Sequence, residues 1–564
     1  MNNYFAFSGL MLSGELANVP APLGFDSWTT FWLVIFISVL NSVLMTMVSY
    51  KFFQALQLGG YRARGYFSWL KETKCSDWGR LVILSFLSTA ALLITNVLLE
   101  DFIIFKIMTY LGLIFYVIFS VCYIVNEFHI SKKTPLKYTK RMRRLIAVFS
   151  ILVFVITAVL LQVSVTGIPY FTHGIIGLTP LLVPVLVLLS YFVTYPFETL
   201  HNKSFVRRAK AKLSGAEYKN LIRIGITGSY GKTSVKNILS TLLAEKYKVV
   251  ASPYSYNTPL GLSKTILEDL KPTTEVFIAE MGARYTGDII ELCDLVDPRI
   301  GVITSIGNQH LGTFKTKENL AATKMELADY VWGHDGEVHV NFDSARLEEV
   351  VLAREGRKKC NVSSIKLNAQ NLVFDASGSK FDLELDGEKV RAETILLGAH
   401  NISNILLAAS VAKKLGLTID EINNGIRKLT PVAHRLALVP STSSLTVIDD
   451  AYNGSVEGAK AALDVVKMFE GKKFVITPGL VELGEEQFNS NFELGIELAK
   501  VVDYCIITGI TNYDAISSGL EFGGMDVSHI LRAGSVSQAV ELVTALSSPG
   551  DVCLFENDLP DNYI

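Results

Sequence analysis

Apolar residues are distributed unevenly along this chain. Before about residue 200 they form long runs, and beyond it short apolar runs alternate with amphipathic segments. Crossing a bilayer core takes ~20 mostly apolar residues. Five stretches reach that length, at about 29–49, 81–99, 102–125, 145–166 and 175–196. Buried helices of a soluble core are the alternative. Five such runs, nearly free of charge and crowded into one end of the chain, favour membrane spans.

The pattern then changes. LIRIGIT (221–227) is a short apolar strand, TGSYGKTS (227–234) a turn, VKNILSTLLAEKY (235–247) an amphipathic helix, and KVVAS (248–252) the next strand. This predicts the first strand–helix unit of a nucleotide-binding sheet. KFVITPG (473–479), YCIITGI (504–510) and DVCLFEN (551–557) read as further buried parallel strands, with helices between them. The expected fold class is therefore multi-domain: an α-helical transmembrane region of about five helices, then two α/β domains. The expected boundaries are 1–200 for the transmembrane region and 201–213 for a basic linker, and the family resemblance set out below implies a central ATP-binding domain at 214–430 and a Rossmann-like C-terminal domain at 431–564.

Charge orients the helices. Lys51, Arg62, Arg64, Lys71, Lys74 and Arg80 lie between runs one and two. Lys132, Lys133, Lys137, Lys140, Arg141, Arg143 and Arg144 lie between runs three and four, and Lys203, Arg207, Arg208, Lys210 and Lys212 follow run five. The N-terminal tail and the two other loops carry no Lys or Arg. Basic loops stay cytoplasmic. The expectation is a multi-pass cell-membrane protein with its N-terminus outside and its large C-terminal half in the cytoplasm. The segment 54–72, QALQLGGYRARGYFSWLKE, reads as a basic loop with aromatic anchors, an interfacial helix, or part of a lipid-substrate site. No charged pair lies deep in a run, which disfavours a transport pathway. A net charge of −2 and the absence of a basic globular domain exclude nucleic acid as an expected partner. Six scattered cysteines without a C-x-x-C pair suggest reduced thiols.

The turn carries the chemistry. Gly228 and Gly231 let the backbone curl so that its N–H groups, with those of Ser229 and Ser234, face an anion. Lys232 brings a positive charge to the outer phosphates, and the Thr233 hydroxyl can ligate Mg²⁺. The general pattern G-x-x-x-x-G-K-[ST] is not met, since its first glycine position is Ile226.

The variant T-G-S-x-G-K-T-S resembles the ATP loop of the Mur ligases, cytoplasmic amide-forming enzymes of peptidoglycan synthesis. The likeness is greatest to the UDP-N-acetylmuramoyl-tripeptide–D-alanyl-D-alanine ligase branch, and other stretches agree in the family's order. EVFIAEMGAR (275–284) places Glu280 as its Mg²⁺-binding glutamate. ITSIGNQHLGTF (303–314) holds Asn308, His310 and Gly312, and implies that His310 helps to hold a second Mg²⁺. Lys324, in T-K-M-E, matches a lysine that the family typically carbamylates to complete that site; the alternative is an ordinary exposed helix lysine. LLGAHNISNILLAAS (396–410) implies that Asn401 and Asn404 lie near the adenine, and VAHRLAL (432–438) that Arg435 reaches the phosphates. VIDDAYNGSVEG (447–458) implies that Asp450, Tyr452 and Asn453 close over the nucleotide.

The implied activity is ATP-dependent ligation with two Mg²⁺ ions. A carboxylate acceptor is activated as an acyl phosphate, and an amino acid or dipeptide amine such as D-alanyl-D-alanine attacks it. Lys232, His310 and Lys324 would act at the reacting phosphate. Two departures bear on the substrates. Soluble Mur ligases begin with a UDP-binding domain where this chain has apolar runs, so the acceptor is UDP-linked or lipid-linked. The K-G-S-R element usual near the end of the D-alanyl-D-alanine ligases is replaced by LFENDLPDNYI (554–564), with Glu556, Asp558 and Asp561 either receiving a cationic group or forming a solvated terminus. A membrane-bound ligase making a polyglutamate-like or lipid-linked peptide polymer, or a nucleotide-regulated membrane protein, are the rival readings.

Overall fold

The computed structural model describes residues 27–72, 76–97, 102–129, 135–166, 176–253, 256–307, 314, 316–354, 360–375, 377–432, 434–439, 445–451, 456–481 and 483–556. Described residues up to His201 form one compact unit, and those from Asn202 onward form another.

The first unit is helical: α1 (Ser27–Val48), α2 (Tyr50–Leu58), α3 (Ala63–Glu72), α4 (Ser76–Val97), α5 (Phe102–His129), α6 (Lys140–Thr166) and α7, which starts at Thr179 and runs to Leu213. Three helices, rather than the expected five, are long and apolar enough to cross a membrane among the described residues: Phe31–Val48, Lys140–Gln162 and Thr179–Leu213. In α4 and α5 the apolar stretches among the described residues are Gly79–Ala90 and Leu111–Asn126.

Each long helix has two apolar faces. Met45, Val48, Phe149, Val153, Val183 and Val187 are buried, while Trp32, Phe36, Ile151, Val155, Val185 and Phe192 are exposed. Soluble monomers rarely expose apolar surface on this scale. The segment 54–72, whose composition reads as a basic loop, an interfacial helix or part of a lipid-substrate site, is mostly helical. Leu56 and Tyr66 are fully buried, and the Tyr66 hydroxyl donates to Pro184 O at 3.2 Å. Gly59 and Gly65 make the hairpin between α2 and α3 possible, because a Cβ on Gly65 would stand 3.0 Å from Gly59 O.

The second unit contains three sheets. β1 (Ile222–Thr227), α8 (Lys232–Leu243), β2 (Val249–Ala251), α9 (Pro259–Glu268), β3 (Val276–Glu280), α10 (Asp288–Val296), β4 (Ile300–Ile303), α11 (Lys317–Gly333), β5 (Glu337–Asn341), α12 (Ala345–Leu352) and β6 (Cys360–Ser363) build a doubly wound domain. Its strands run parallel in the order β2-β3-β1-β4-β5-β6. Helices cover both faces, so β3 is buried at every position and reads as a continuous apolar run. A three-stranded antiparallel sheet follows, β7 (Ala369–Asp375), β8 (Gly378–Leu385) and β9 (Glu388–Thr394), and then α13 (Ala399–Lys414) and α14 (Ile419–Arg427). Local signals set helix starts: Pro259 follows the Thr258 cap of α9, and Thr418 with Glu421 forms a capping box on α14.

The last domain comprises β10 (Ala437–Val439), β11 (Thr446–Asp450), α15 (Val456–Val466), β12 (Lys473–Thr477), α16 (Gln487–Ala499), β13 (Tyr504–Thr508), α17 (Tyr513–Phe522), β14 (Ile530–Ala533), α18 (Val536–Leu546) and β15 (Val552–Glu556). Its sheet order is β10-β11-β15-β12-β13-β14, with only β10 antiparallel. The final strand is therefore central, and it carries Glu556 to its carboxyl end.

Candidate active site

In the doubly wound sheet the strand order reverses around β1, and the carboxyl ends there are where such folds bind ligands. The turn after β1 is tight. Gly228 has φ +152° and Gly231 has φ +79°, with Gly231 capping α8. The turn is tied to the strand beyond β4. Ser229 N donates to Ser305 O at 2.9 Å, Tyr230 N donates to Ser305 Oγ at 2.9 Å, and Gly307 N donates to Ser229 Oγ at 3.0 Å. A Cβ on Gly228 would collide with Thr304 Oγ1 and stand 3.0 Å from Ser305 N. Gly228→Ala is expected to weaken ADP binding at least about tenfold by forcing this turn open. Calorimetric titration with ADP checks it, and an unchanged affinity would refute it.

Lys232 opens α8 and curls back, donating to Gly228 O at 2.6 Å and Ser229 O at 2.9 Å. Burial pushes its ammonium down to about 8, against the attraction of Glu280 and with Arg435 adding to the fall. Thr233 Oγ1 donates to Glu280 Oε2 at 3.0 Å. Glu280 is the last residue of β3 and pairs in register with Ile226, so its carboxylate meets the first turn of α8. Thr233 and Glu280 thus offer two hard oxygen donors to one point, a set that suits Mg²⁺. No group of three His, Cys, Asp or Glu converges here or elsewhere among the described residues, so phosphate oxygens and water would have to complete such a site. His310, expected at a second ion, lies outside the described residues, as do Tyr452 and Asn453.

Lys324 is not the ordinary exposed lysine of the alternative reading. It is buried on α11, and burial first, then Lys232, push it down to about 7, opposed by Asp288 and Glu326. Glu326, two residues on, accepts from Gly287 N at 2.8 Å and Ile290 N at 3.2 Å and so fixes the start of α10.

On the other side, Asn404 Oδ1 lies where a Cβ on Gly231 would be within 2.8 Å, so α13 packs directly on the turn. Asn401 Nδ2 donates to Leu397 O at 2.8 Å. Asn401, Ser234, Asn237, Thr430 and Arg435 line a cavity of about 290 Å³. Asp450 takes the Leu436 N–H at 3.0 Å; burial pushes its carboxyl up to about 6, against Leu436 and Arg435. Glu556 pairs in register with Asp450, and among the described residues neither of its oxygens has a partner. This fully buried carboxyl rules out a solvated terminus at that position. Asp558 and Asp561 lie outside the described residues.

The structure therefore brings together Gly228, Ser229, Gly231, Lys232, Thr233, Glu280 and Asn404 at the turn. Asn401, Ser234 and Arg435 gather at the adjoining cavity. The sequence reading missed Lys236, Asn257 and Ser252, which surround Glu280: Lys236 Nζ is 3.0 Å from Oε2, Asn257 Nδ2 donates to Oε1 at 3.3 Å, and Glu280 N donates to Ser252 Oγ at 3.1 Å. The spacing of Lys236 four residues beyond Lys232 was the available signal, because it places both on one helix face.

Residues 226–412 match the Mur ligase middle domain, and residues 434–556 match the Mur ligase glutamate ligase domain. The UDP-N-acetylmuramoyl-tripeptide–D-alanyl-D-alanine ligase of Mycobacterium tuberculosis is 31% identical over 306 residues, 51% of this chain and 59% of the relative. That of Mycobacterium leprae is 28% identical over 390 residues, 62% of this chain and 74% of the relative. Among solved structures, the MurF ligase of Thermotoga maritima in complex with ADP has 25% identity and a TM-score of 0.56, covering 63% of this chain and 80% of that one. The chain thus spans 59% of the length of the M. tuberculosis relative. Both domain matches lie within the second unit, and across them the chain belongs to the Mur ligase family.

Proposed function

We propose that this protein is a membrane-anchored, ATP-dependent ligase. It activates an acceptor carboxylate as an acyl phosphate and joins it to an amine, in cell-wall or envelope polymer synthesis. The observation that carries the reading is the enclosed assembly of Lys232, Thr233 and Glu280 at the carboxyl ends of β1 and β3. It rests on the carbon–nitrogen ligase activity of the relatives named above.

ATP is held at the turn after β1, with Lys232 on its outer phosphates and Asn401, Asn404, Arg435, Asp450, Tyr452 and Asn453 around the rest of the nucleotide. The acceptor carboxylate attacks the γ-phosphorus and ADP leaves. The amine then adds to the acyl phosphate, and the tetrahedral intermediate collapses to an amide and phosphate. No protein nucleophile is needed, so the residues act by position and charge. Magnesium, held at Thr233 and Glu280 with a second ion near His310 and Lys324, would neutralise charge on the phosphates. Burial that brings Lys324 down to about 7 leaves much of its amine unprotonated near neutral pH, which supports its carbamylation, since CO₂ adds only to an unprotonated amine. Asp450 and Arg435 belong to the last domain and its junction, so closure of the two domains gates the reaction.

The domain limits proposed are 1–200, 201–213, 214–430 and 431–564. Five apolar helices anchor the chain, with the N-terminus outside and the ligase domains cytoplasmic. The exposed apolar faces of α1, α6 and α7 support the anchor. A helical anchor in the place of a UDP-binding domain favours a lipid-linked acceptor over a UDP-linked one. D-alanyl-D-alanine is the first amine to try, although an acid at Glu556 in place of a basic element speaks for testing others. The test supplies full-length protein in nanodiscs with ATP, Mg²⁺, UDP-linked and lipid-linked carboxylates and a panel of amino acids and dipeptides. Phosphate release is expected only when acceptor and amine are both present, with the amide detected by mass spectrometry. Release that needs neither would overturn the ligase reading in favour of a nucleotide-regulated membrane protein.

A further inference from the structure

Lys236 lies one turn beyond Lys232 on α8. Its neighbours Val235, Ile238, Leu239, Leu242 and Leu243 all belong to the core, and an apolar residue is the ordinary occupant of such a place. Instead its side chain is 1% exposed and its ammonium lies 3.0 Å from Glu280 Oε2, on a side chain 2% exposed. Burying two charges is costly, and is offset only where the geometry is close and the remaining lone pairs are satisfied. They are satisfied here. Thr233 Oγ1 also donates to Oε2, and Asn257 Nδ2 donates to Oε1. The backbone N–H of Glu280 is fixed on Ser252 Oγ, so the strand end cannot easily shift.

The oxygen held by Lys236 is also the one that a cation shared between Thr233 and Glu280 would use. To ligate that cation, the Thr233 hydroxyl has to turn its proton away from Oε2 and present a lone pair. A dication arriving there meets the Lys236 ammonium at close range, in a pocket with little water to screen the repulsion. The phosphates of a bound nucleotide would supply the missing negative charge.

We infer that Lys236 is a positioning residue, the built-in counter-ion of Glu280. It keeps the carboxylate in its ligating pose while no cation is bound, and it opposes a lone divalent cation at the same oxygen, so that metal loads together with nucleotide. The inference deepens the metal–nucleotide part of the proposed function and rests on it.

The test is Mn²⁺ binding to the full-length protein, read from the free-ion signal in electron paramagnetic resonance, with and without ADP. The parent should bind Mn²⁺ with ADP and much more weakly alone. Lys236→Met and Lys236→Gln should bind Mn²⁺ alone about tenfold more tightly than the parent, while Lys236→Arg should stay at the parent value. Lys236→Gln keeps a donor for Oε2 and serves if Lys236→Met does not fold. A merely structural lysine would lower the unfolding temperature of the variants without moving their Mn²⁺ affinity, and that result would overturn the inference. A parent that binds Mn²⁺ with ADP while both neutral variants match it defeats the inference alone. A parent that binds neither defeats the proposed nucleotide site as well.

Discussion

Lys232→Ala is expected to lower ATP-dependent amide formation by about 10²–10³-fold, the range seen when one pre-organised charge or donor at a reacting oxygen is removed. The magnitude follows from enclosure. The side chain is half-buried, with its ammonium turned onto the carbonyls of Gly228 and Ser229. It has already lost part of its water, so an arriving polyphosphate gains a charge contact at reduced further desolvation cost. The low value of about 8 in the free protein gives this a second signature. Nucleotide binding favours the charged form, so binding near pH 8 should take up a proton, and ADP affinity should fall as pH rises above 8. Calorimetry in buffers of different ionisation heat reads the proton directly. A variant that retains product formation within a few-fold of the parent would remove Lys232 from the chemistry, whatever its effect on stability.

Glu556→Gln is expected to stabilise the protein, by about 1–3 kcal/mol at pH 8. Among the described residues both carboxyl oxygens are enclosed without a partner, and Asp450 stands beside them in register. Burial, reinforced by Asp450, holds the Glu556 carboxyl well above the usual carboxylate range. The sign follows from linkage. Below the ordinary carboxyl value the folded and unfolded chains are both protonated, and Glu556 contributes no pH dependence. As pH rises above it, the unfolded chain ionises while the folded chain keeps its proton, and stability falls. A glutamine cannot ionise in either state, so the gain should be absent near pH 4 and grow towards pH 8. Thermal unfolding of the parent and the variant across that range measures it. A variant less stable than the parent at pH 8 would mean that the carboxyl has a favourable partner in the folded protein.

The polymer-level features were legible wherever they depend on local pattern. The strand, turn and helix around Lys232 follow from a short apolar run, two glycines and a 3.6-residue period. Glu280 was identifiable because it ends an apolar strand, and Thr233 because it follows Lys232. The three helices long and apolar enough to cross a membrane were visible as apolar runs.

What the sequence left open was set by neighbours distant in the chain. Whether Lys324 lies in water or in the core depends on how α11 packs, and burial there changes its chemistry. The partner of Lys236 was set by β3, which places Glu280 against it. The segment 54–72 was basic and aromatic by composition, yet α7 supplies Pro184 to cover Tyr66. Glu556 appeared to begin an acidic tail, whereas the sheet order sets β15 between β11 and β12 and buries it. The sequence by itself determined which segments become strands and helices and which loop can grip phosphate, because periodicity and turn chemistry act over a few residues. Only the tertiary structure decided which charges lose their water and which opposite charge they meet, because desolvation and Coulomb energy depend on contacts between residues far apart in the chain.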